Sequence, residues 1–478
     1  MKTIDIKILR GIEKIMKSLD LTPTDKNVYE TLKNDSIGRR EFVFRFVEML
    51  NAIEDNCTIA LEGNWGSGKT FFVKQVKMVL DTYNPNYEPK NGFLTAEHRN
   101  QIKGICHEFN NEDGNTKLKP QLCVYYDAWQ NDNDEDPILS LVYSIVKETK
   151  SDFSFTDRSI FNICNELVKL VCNKDFSKLI KELKENNAFA PIKAAKDESD
   201  MVGEFLQSLL PEVGERLIVF VDELDRCKPS YAVKLLERIK HYFSDEKITF
   251  VFSININELQ HTIKKHYGSD FDATRYLDRF FDLRAALPQF DSERYYTSIG
   301  FERGGNPFNY VCASVISKYQ LEMRNIAKYI RLAKIAVPKS VREDNIIAIS
   351  DKIALYTCQI YVIPIMLGLK LTDTNRFEKF VKGKDCTPLL EFKECFNFGY
   401  FTRYAFRHNE TLKDTNNARE TLVTIDERIK EVYNAIFVEE YEDKLNLKVG
   451  DMLFDKKTKD SVMSIAGLMS KSISFDDE

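Results

Sequence analysis

The sequence predicts an α/β protein: a mostly parallel β-sheet sandwiched by helices, a P-loop core, with a helical insertion and a C-terminal α-helical domain. Three stretches predict it: Cys57 to Thr70, Arg216-Leu-Ile-Val-Phe-Val-Asp-Glu-Leu-Asp-Arg226, and Lys247-Ile-Thr-Phe-Val-Phe-Ser-Ile-Asn255. Each carries a short, largely apolar run, the pattern of a parallel strand buried on both faces. Each ends in polar residues, where open parallel sheets collect their ligands.

The first stretch carries the most chemistry. Cys57-Thr-Ile-Ala-Leu61 reads as a short strand, and Gly63-Asn-Trp-Gly-Ser-Gly-Lys-Thr70 satisfies G-x-x-x-x-G-K-[ST]. Phe71 to Leu80 then places Phe72, Val73, Val76, Val79 and Leu80 on one helical face. Strand, glycine turn and helix are the context such a loop needs to hold phosphate, because backbone N–H groups and the positive helix end converge there. The expected phosphate cradle is Gly63, Asn64, Trp65, Gly66, Ser67, Gly68, Lys69, Thr70 and Phe71. Lys69 is expected to reach the β- and γ-phosphates and the Thr70 hydroxyl to ligate Mg²⁺.

The second stretch supplies the partner. A strand ending at Asp222 brings that carboxylate beside Thr70, where it holds Mg²⁺ through water, and Glu223 is placed to orient or deprotonate an attacking water. Together the two motifs point to a hydrolysing nucleoside triphosphatase. In the third stretch Asn255 either contacts the γ-phosphate or lytic water, or caps the following helix, Glu258 to His266; both readings stand.

These motifs resemble the KAP family of P-loop NTPases. The resemblance runs through Asp35-Ser-Ile-Gly-Arg-Arg-Glu-Phe42, the Trp inside the glycine loop, Tyr126-Asp-Ala-Trp-Gln130 and Val221-Asp-Glu-Leu-Asp-Arg-Cys227, over roughly residues 25 to 345. The family commonly has Asp-Asp-Leu-Asp-Arg, so Glu223 departs from it while keeping a carboxylate. The resemblance implies an extra strand between the P-loop strand and the acid-bearing strand, ATP as the nucleotide, and a switch or scaffold role. Bacterial members include phage-exclusion proteins and animal members membrane-associated signalling scaffolds. Many members carry transmembrane helices between the two motifs; here that insertion, about 150–211, holds the charged, amphipathic Ser177 to Asn186 and does not read as membranous.

Other residues have two readings each. Asp127 tunes metal or water, or is structural; Trp129 is expected to pack under the P-loop. Trp65 shields phosphate or touches a neighbouring subunit. Arg226 pairs with Asp225 or Glu223, or faces a neighbouring protomer. Arg275 and Arg279, one turn apart on an expected helix, suit an arginine finger, Arg279 foremost, or a solvated basic face. Arg324 begins a helix facing inward with Ile326, Ile330 and Leu332, and is either a second sensor or a surface residue.

The remainder is bounded more loosely. The expected domains are an N-terminal segment 1–24, an NTPase domain 25–345 and a helical domain 346–478. Ile353 to Leu369 is uncharged but short of the ~20 residues of a bilayer span, so no membrane span is expected. Phe392 to His408 interleaves aromatics with Arg403 and Arg407, which either stack single-stranded nucleic acid or build a core. The net charge of -6 does not indicate a nucleic-acid partner, although a nucleic-acid-stimulated translocase is the alternative function. Ten scattered cysteines without metal-site spacing fit a reduced, cytoplasmic protein. The expected partners are ATP and either further copies of the chain or an effector protein.

Overall fold

The computed structural model describes residues 22–86, 92–106, 117–134, 136–149, 214–243, 246–304, 306–342, 352–397, 400–406, 423–441 and 446–468. Most of the N-terminal segment, through residue 21, the insertion at about 150–211 and residues 469–478 lie outside them. The chain forms two compact units, divided between Phe290 and Asp291.

The unit up to Phe290 opens with α1 (Asp25–Asn34) and α2 (Arg40–Ala52). Strand β1 (Cys57–Glu62) leads into α3 (Lys69–Tyr83), followed by α4 (Ala96–Ile105), β2 (Gln121–Asp127) and α5 (Pro137–Thr149). Then come β3 (Arg216–Asp222), α6 (Pro229–Tyr242), β4 (Ile248–Ile254), α7 (Ile256–Tyr267), α8 (Ala273–Leu277) and β5 (Leu283–Ala286). The five strands form one sheet in the order β2-β3-β4-β1-β5, every pair parallel. Strand β4 thus lies between the P-loop strand and the acid-bearing strand, as the resemblance implied.

Every residue of β3 and β4 is buried, which is why both read as unbroken apolar runs rather than alternating ones. Phe72, Val73, Val76, Val79 and Leu80 of α3 are all buried, and Phe72 meets Phe42 and Phe46 of α2 at ring separations of 5.2 and 5.3 Å. Each such side chain contributes about 1.5–3 kcal/mol by leaving water, so the helix that starts the phosphate loop is pinned along its length. The register places Asp127, Asp222, Ser253 and Leu61 in one row across the carboxyl edge of the sheet. That row is where the site forms.

In the unit from Asp291, α9 (Ser292–Ser298), α10 (Pro307–Lys318) and α11 (Met323–Ala336) precede the apolar helix α12 (Ile353–Thr372). The sequence reading grouped α9 to α11 with the NTPase domain. In the structure α10 and α11 instead pack on α12: a Cβ on Gly368 would stand 2.2 Å from Val315 Cγ1, and Tyr329 donates to the Pro364 carbonyl at 3.1 Å.

Helix α12 has 20 residues, running past Leu369 to Thr372. It is long and apolar enough to cross a bilayer, but 78% of its most apolar window is buried inside the protein. A π-helical segment, Cys358–Val362, precedes Pro364, which cannot donate a backbone hydrogen bond. The aromatic stretch is mostly core: Phe392, Phe396, Phe401 and Phe406 are buried, and Phe396 stacks on Tyr361 at 5.0 Å.

Candidate functional site

The glycine loop from Gly63 to Gly68 joins β1 to α3. Gly66 and Gly68 have φ of 85° and 93°, left-handed values that cost a side-chain-bearing residue about 1–2 kcal/mol. A Cβ on Gly63 would stand 2.9 Å from Ser67 Oγ and 3.3 Å from Lys69 Cγ, so the loop folds tightly over itself. The Gly63 N–H donates to the Ile254 carbonyl at 3.1 Å, seating the loop on β4. Behind it, buried Arg39 donates from Nη1 to the Ser67 carbonyl at 2.7 Å. Sequence reasoning placed Arg39 in a motif but gave it no role.

Lys69 is buried, and its ammonium donates to the carbonyls of Gly63 (2.7 Å) and Asn64 (3.1 Å). Burial lowers its pKa, while Asp225 and Asp222 oppose that. The Ser67 hydroxyl is buried and makes no hydrogen bond. A cation held by loop carbonyls, an orphaned hydroxyl and the N-terminus of α3 fit a polyphosphate. The Phe71 side chain is buried, so only its backbone is available to such a ligand.

The Thr70 hydroxyl donates to Asp222 Oδ2 at 2.7 Å, joining the two sequence motifs. Tyr125 donates to the same oxygen at 3.0 Å, and the Glu223 N–H donates to Asp222 Oδ1 at 3.0 Å. Both Asp222 oxygens therefore accept hydrogen bonds, and the residue is 1% exposed, beside a hydroxyl of the type that hard divalent cations accept. A hydroxyl and a carboxylate one hydrogen bond apart are a donor set that fits Mg²⁺. Tyr125 was missed; its signal was the alternation in β2 that puts residues 125 and 127 on one face.

Glu223 has φ 60°, left-handed, at the start of the 3-10 turn Leu224–Arg226. Its carboxylate pairs with Arg226 Nη1 at 2.9 Å. Burial raises its pKa and Arg226 opposes. Of the readings for Arg226, the structure shows the pairing with Glu223. Asp225 is instead bound by Trp65, whose indole N–H donates to Oδ2 at 2.5 Å.

Asn255 caps α7, its side-chain oxygen accepting from Asn257 N (3.2 Å) and Glu258 N (3.5 Å); the cap uses only that oxygen. Asp127 Oδ1 accepts the Gln130 N–H at 3.0 Å and stabilises the turn after β2. Trp129 does not lie under the P-loop. It is 50% exposed, because it sits in the turn beyond an edge strand, and Arg226 lies over its ring at 5.4 Å.

Helix α8 ends at Leu277 with Asp278 as its C-cap. Arg279 therefore falls in the turn just beyond the helix that carries Arg275, and both are exposed. Arg324, also exposed, lies on α11 of the other unit.

Fold and site together define a nucleotide-binding P-loop NTPase. The KAP family P-loop domain matches residues 39–295, just over half of the 478-residue chain, and the chain belongs to that family. No curated protein matches it. Among solved structures, the ORC2 protein of Aeropyrum pernix in its ADPNP-ADP complexes is similar at 10% identity, over 84% of this chain and 95% of that one. The TM-score is 0.31, too low to carry an argument.

Proposed function

We propose that the protein binds ATP with Mg²⁺, hydrolyses it, and acts as a nucleotide-dependent switch or scaffold. The observation that carries this is the 2.7 Å bond from Thr70 to Asp222, with Glu223 next in the chain. When bound, Mg²⁺ would be held by Thr70 and Asp222, and would neutralise charge on the phosphate oxygens. Lys69 exchanges its carbonyl partners for the β- and γ-phosphates. Glu223 accepts a proton from water, whose oxygen attacks the γ-phosphorus as the bond to the ADP oxygen breaks, giving ADP and inorganic phosphate.

Asn255 is proposed to orient that water through its amide, and Arg279 to act on the nucleotide of a neighbouring copy. The exposure of Arg279 suits a group acting outside its own chain. A role in phage defence or signalling, with further copies or an effector as partner, rests on the company of the family, and a cytoplasmic location on the scattered cysteines.

The test is ATP turnover with size-exclusion chromatography on wild type, Lys69→Ala and Glu223→Gln. Lys69→Ala should lose binding and turnover. Glu223→Gln should bind ATP, hydrolyse little and retain any ATP-dependent oligomer. Equal turnover in all three overturns the assignment, and strong stimulation by DNA would favour a translocase.

A further inference from the structure

The Glu223 backbone is well held. Its carbonyl accepts from Arg226 N at 3.1 Å and from Cys227 Sγ at 3.6 Å, which sustains the left-handed φ. Its side chain is another matter. The carboxylate lies among Asp222, Asp127 and Asp225, with Lys69 the cation across the loop. The hydrogen-bonded counter-charge that aims it is Arg226, itself a long and flexible side chain.

The indole of Trp129 lies under that side chain. The guanidinium carbon stands 5.4 Å from the ring centroid, within cation–π range. The Trp129 backbone is fixed at both ends: Ala128 N donates to the Asp222 carbonyl at 3.0 Å and Asp132 N to the Trp129 carbonyl at 3.5 Å. Lys228 N, two residues past Arg226, donates to Asp132 Oδ2 at 3.1 Å, tying this turn to the acid-bearing segment. An exposed tryptophan in a hydrogen-bonded turn is thus presented to the cation that pairs with Glu223.

We propose that Trp129 is a positioning residue for Glu223, acting through Arg226 by stacking under the guanidinium that aims the carboxylate. This clamp presupposes the hydrolytic role proposed for Glu223. In that role Trp129 narrows the orientations of the base, and misplacing a base costs rate rather than binding.

The test compares turnover by Trp129→Ala, Trp129→Phe, Arg226→Gln and Glu223→Gln. Trp129→Ala should lower kcat about fivefold with KM and melting temperature near wild type, and Trp129→Phe, which keeps an aromatic face, should restore kcat. Arg226→Gln should lose on the order of tenfold or more. A second readout uses the chain's two tryptophans: with Trp65→Phe, emission reports Trp129 alone. Adding Arg226→Gln should then raise acrylamide quenching by uncovering the ring. Full kcat in Trp129→Ala beside a loss in Glu223→Gln overturns the clamp alone, as does unchanged quenching or a Phe variant as slow as Ala. Equal turnover by wild type and Glu223→Gln overturns the hydrolytic role and the clamp with it.

Discussion

The indole N–H of Trp65 donates to Asp225 Oδ2 at 2.5 Å, joining the tip of the glycine loop to the turn after β3. Thr70 and Asp222 make a second such bond at the mouth of the helix. Loop and acids are therefore fastened at two points, one within the loop and one where the helix begins. Asp225 is 5% exposed; burial raises its pKa, and the Trp65 bond is the largest opposing influence.

Trp65→Phe should consequently destabilise the protein by about 1–3 kcal/mol, the cost of leaving a buried acceptor short of its donor. Urea denaturation monitored by circular dichroism measures this directly. A midpoint equal to wild type would mean that the half-exposed indole adds nothing to the fastening.

Tyr125→Phe addresses the metal site without altering a proposed ligand. The hydroxyl supplies one of the two side-chain bonds to Asp222 Oδ2, so its loss loosens the carboxylate. The Mg²⁺ concentration needed for half-maximal turnover should rise about tenfold, as for other groups that orient a metal ligand. Nucleotide binding in EDTA should be unchanged. An unaltered Mg²⁺ requirement would show that Thr70 and the Glu223 N–H hold Asp222 unaided.

Much of this was legible in the sequence, and particular residues show why. Gly63, Gly68, Lys69, Thr70 and Asp222 were readable because a phosphate loop and a buried strand each constrain local sequence. Arg279 was misplaced because helical spacing continues past Leu277, while the chain is drawn away by a tertiary contact. Asp282 N donates to the Thr58 carbonyl and Thr58 N to Asp282 Oδ2, both at 2.8 Å, pulling the segment onto β1. Trp129 was misplaced because an aromatic residue ending a strand usually turns inward, and nothing local announced Arg226 as its cover. The break at Phe290 was equally hidden, since what recruits α10 and α11 is a helix far along the chain.

Two glycines of the same kind should respond oppositely to alanine. In α12 a methyl on Gly368 would meet Val315 Cγ1 at 2.2 Å and Tyr319 Cδ2 at 3.2 Å. Overpacking of that sort costs about 1–3 kcal/mol, exceeding the gain of up to about 1 kcal/mol from removing a helical glycine. In α4 a Cβ on Gly104 meets nothing within 4 Å, so Gly104→Ala should stabilise by about 0.5–1 kcal/mol. A Gly368→Ala melt at or above wild type would contradict the close packing of α10 on α12, and a Gly104→Ala melt below wild type would contradict the open space beside α4.

The last prediction concerns pH. Asp81 on α3 is 4% exposed; Lys77 donates to its Oδ2 at 2.7 Å, while Oδ1 makes no hydrogen bond. Burial raises its carboxyl from 3.8 to about 6, with Lys77 opposing. The folded protein therefore holds this proton more tightly than the unfolded chain does. Stability from it is fully present below pH ~3.8 and is lost as pH rises through about 6. A difference of that size corresponds to about 3 kcal/mol between the two forms. Asp81→Asn cannot titrate there, so wild-type stability minus variant stability should fall by that order between pH 4 and pH 6.5, levelling above (roughly the window set by the two pKa values). Denaturant midpoints across that range measure it. A difference that instead rises with pH would show that the Lys77 pair outweighs burial, leaving Asp81 ionised throughout.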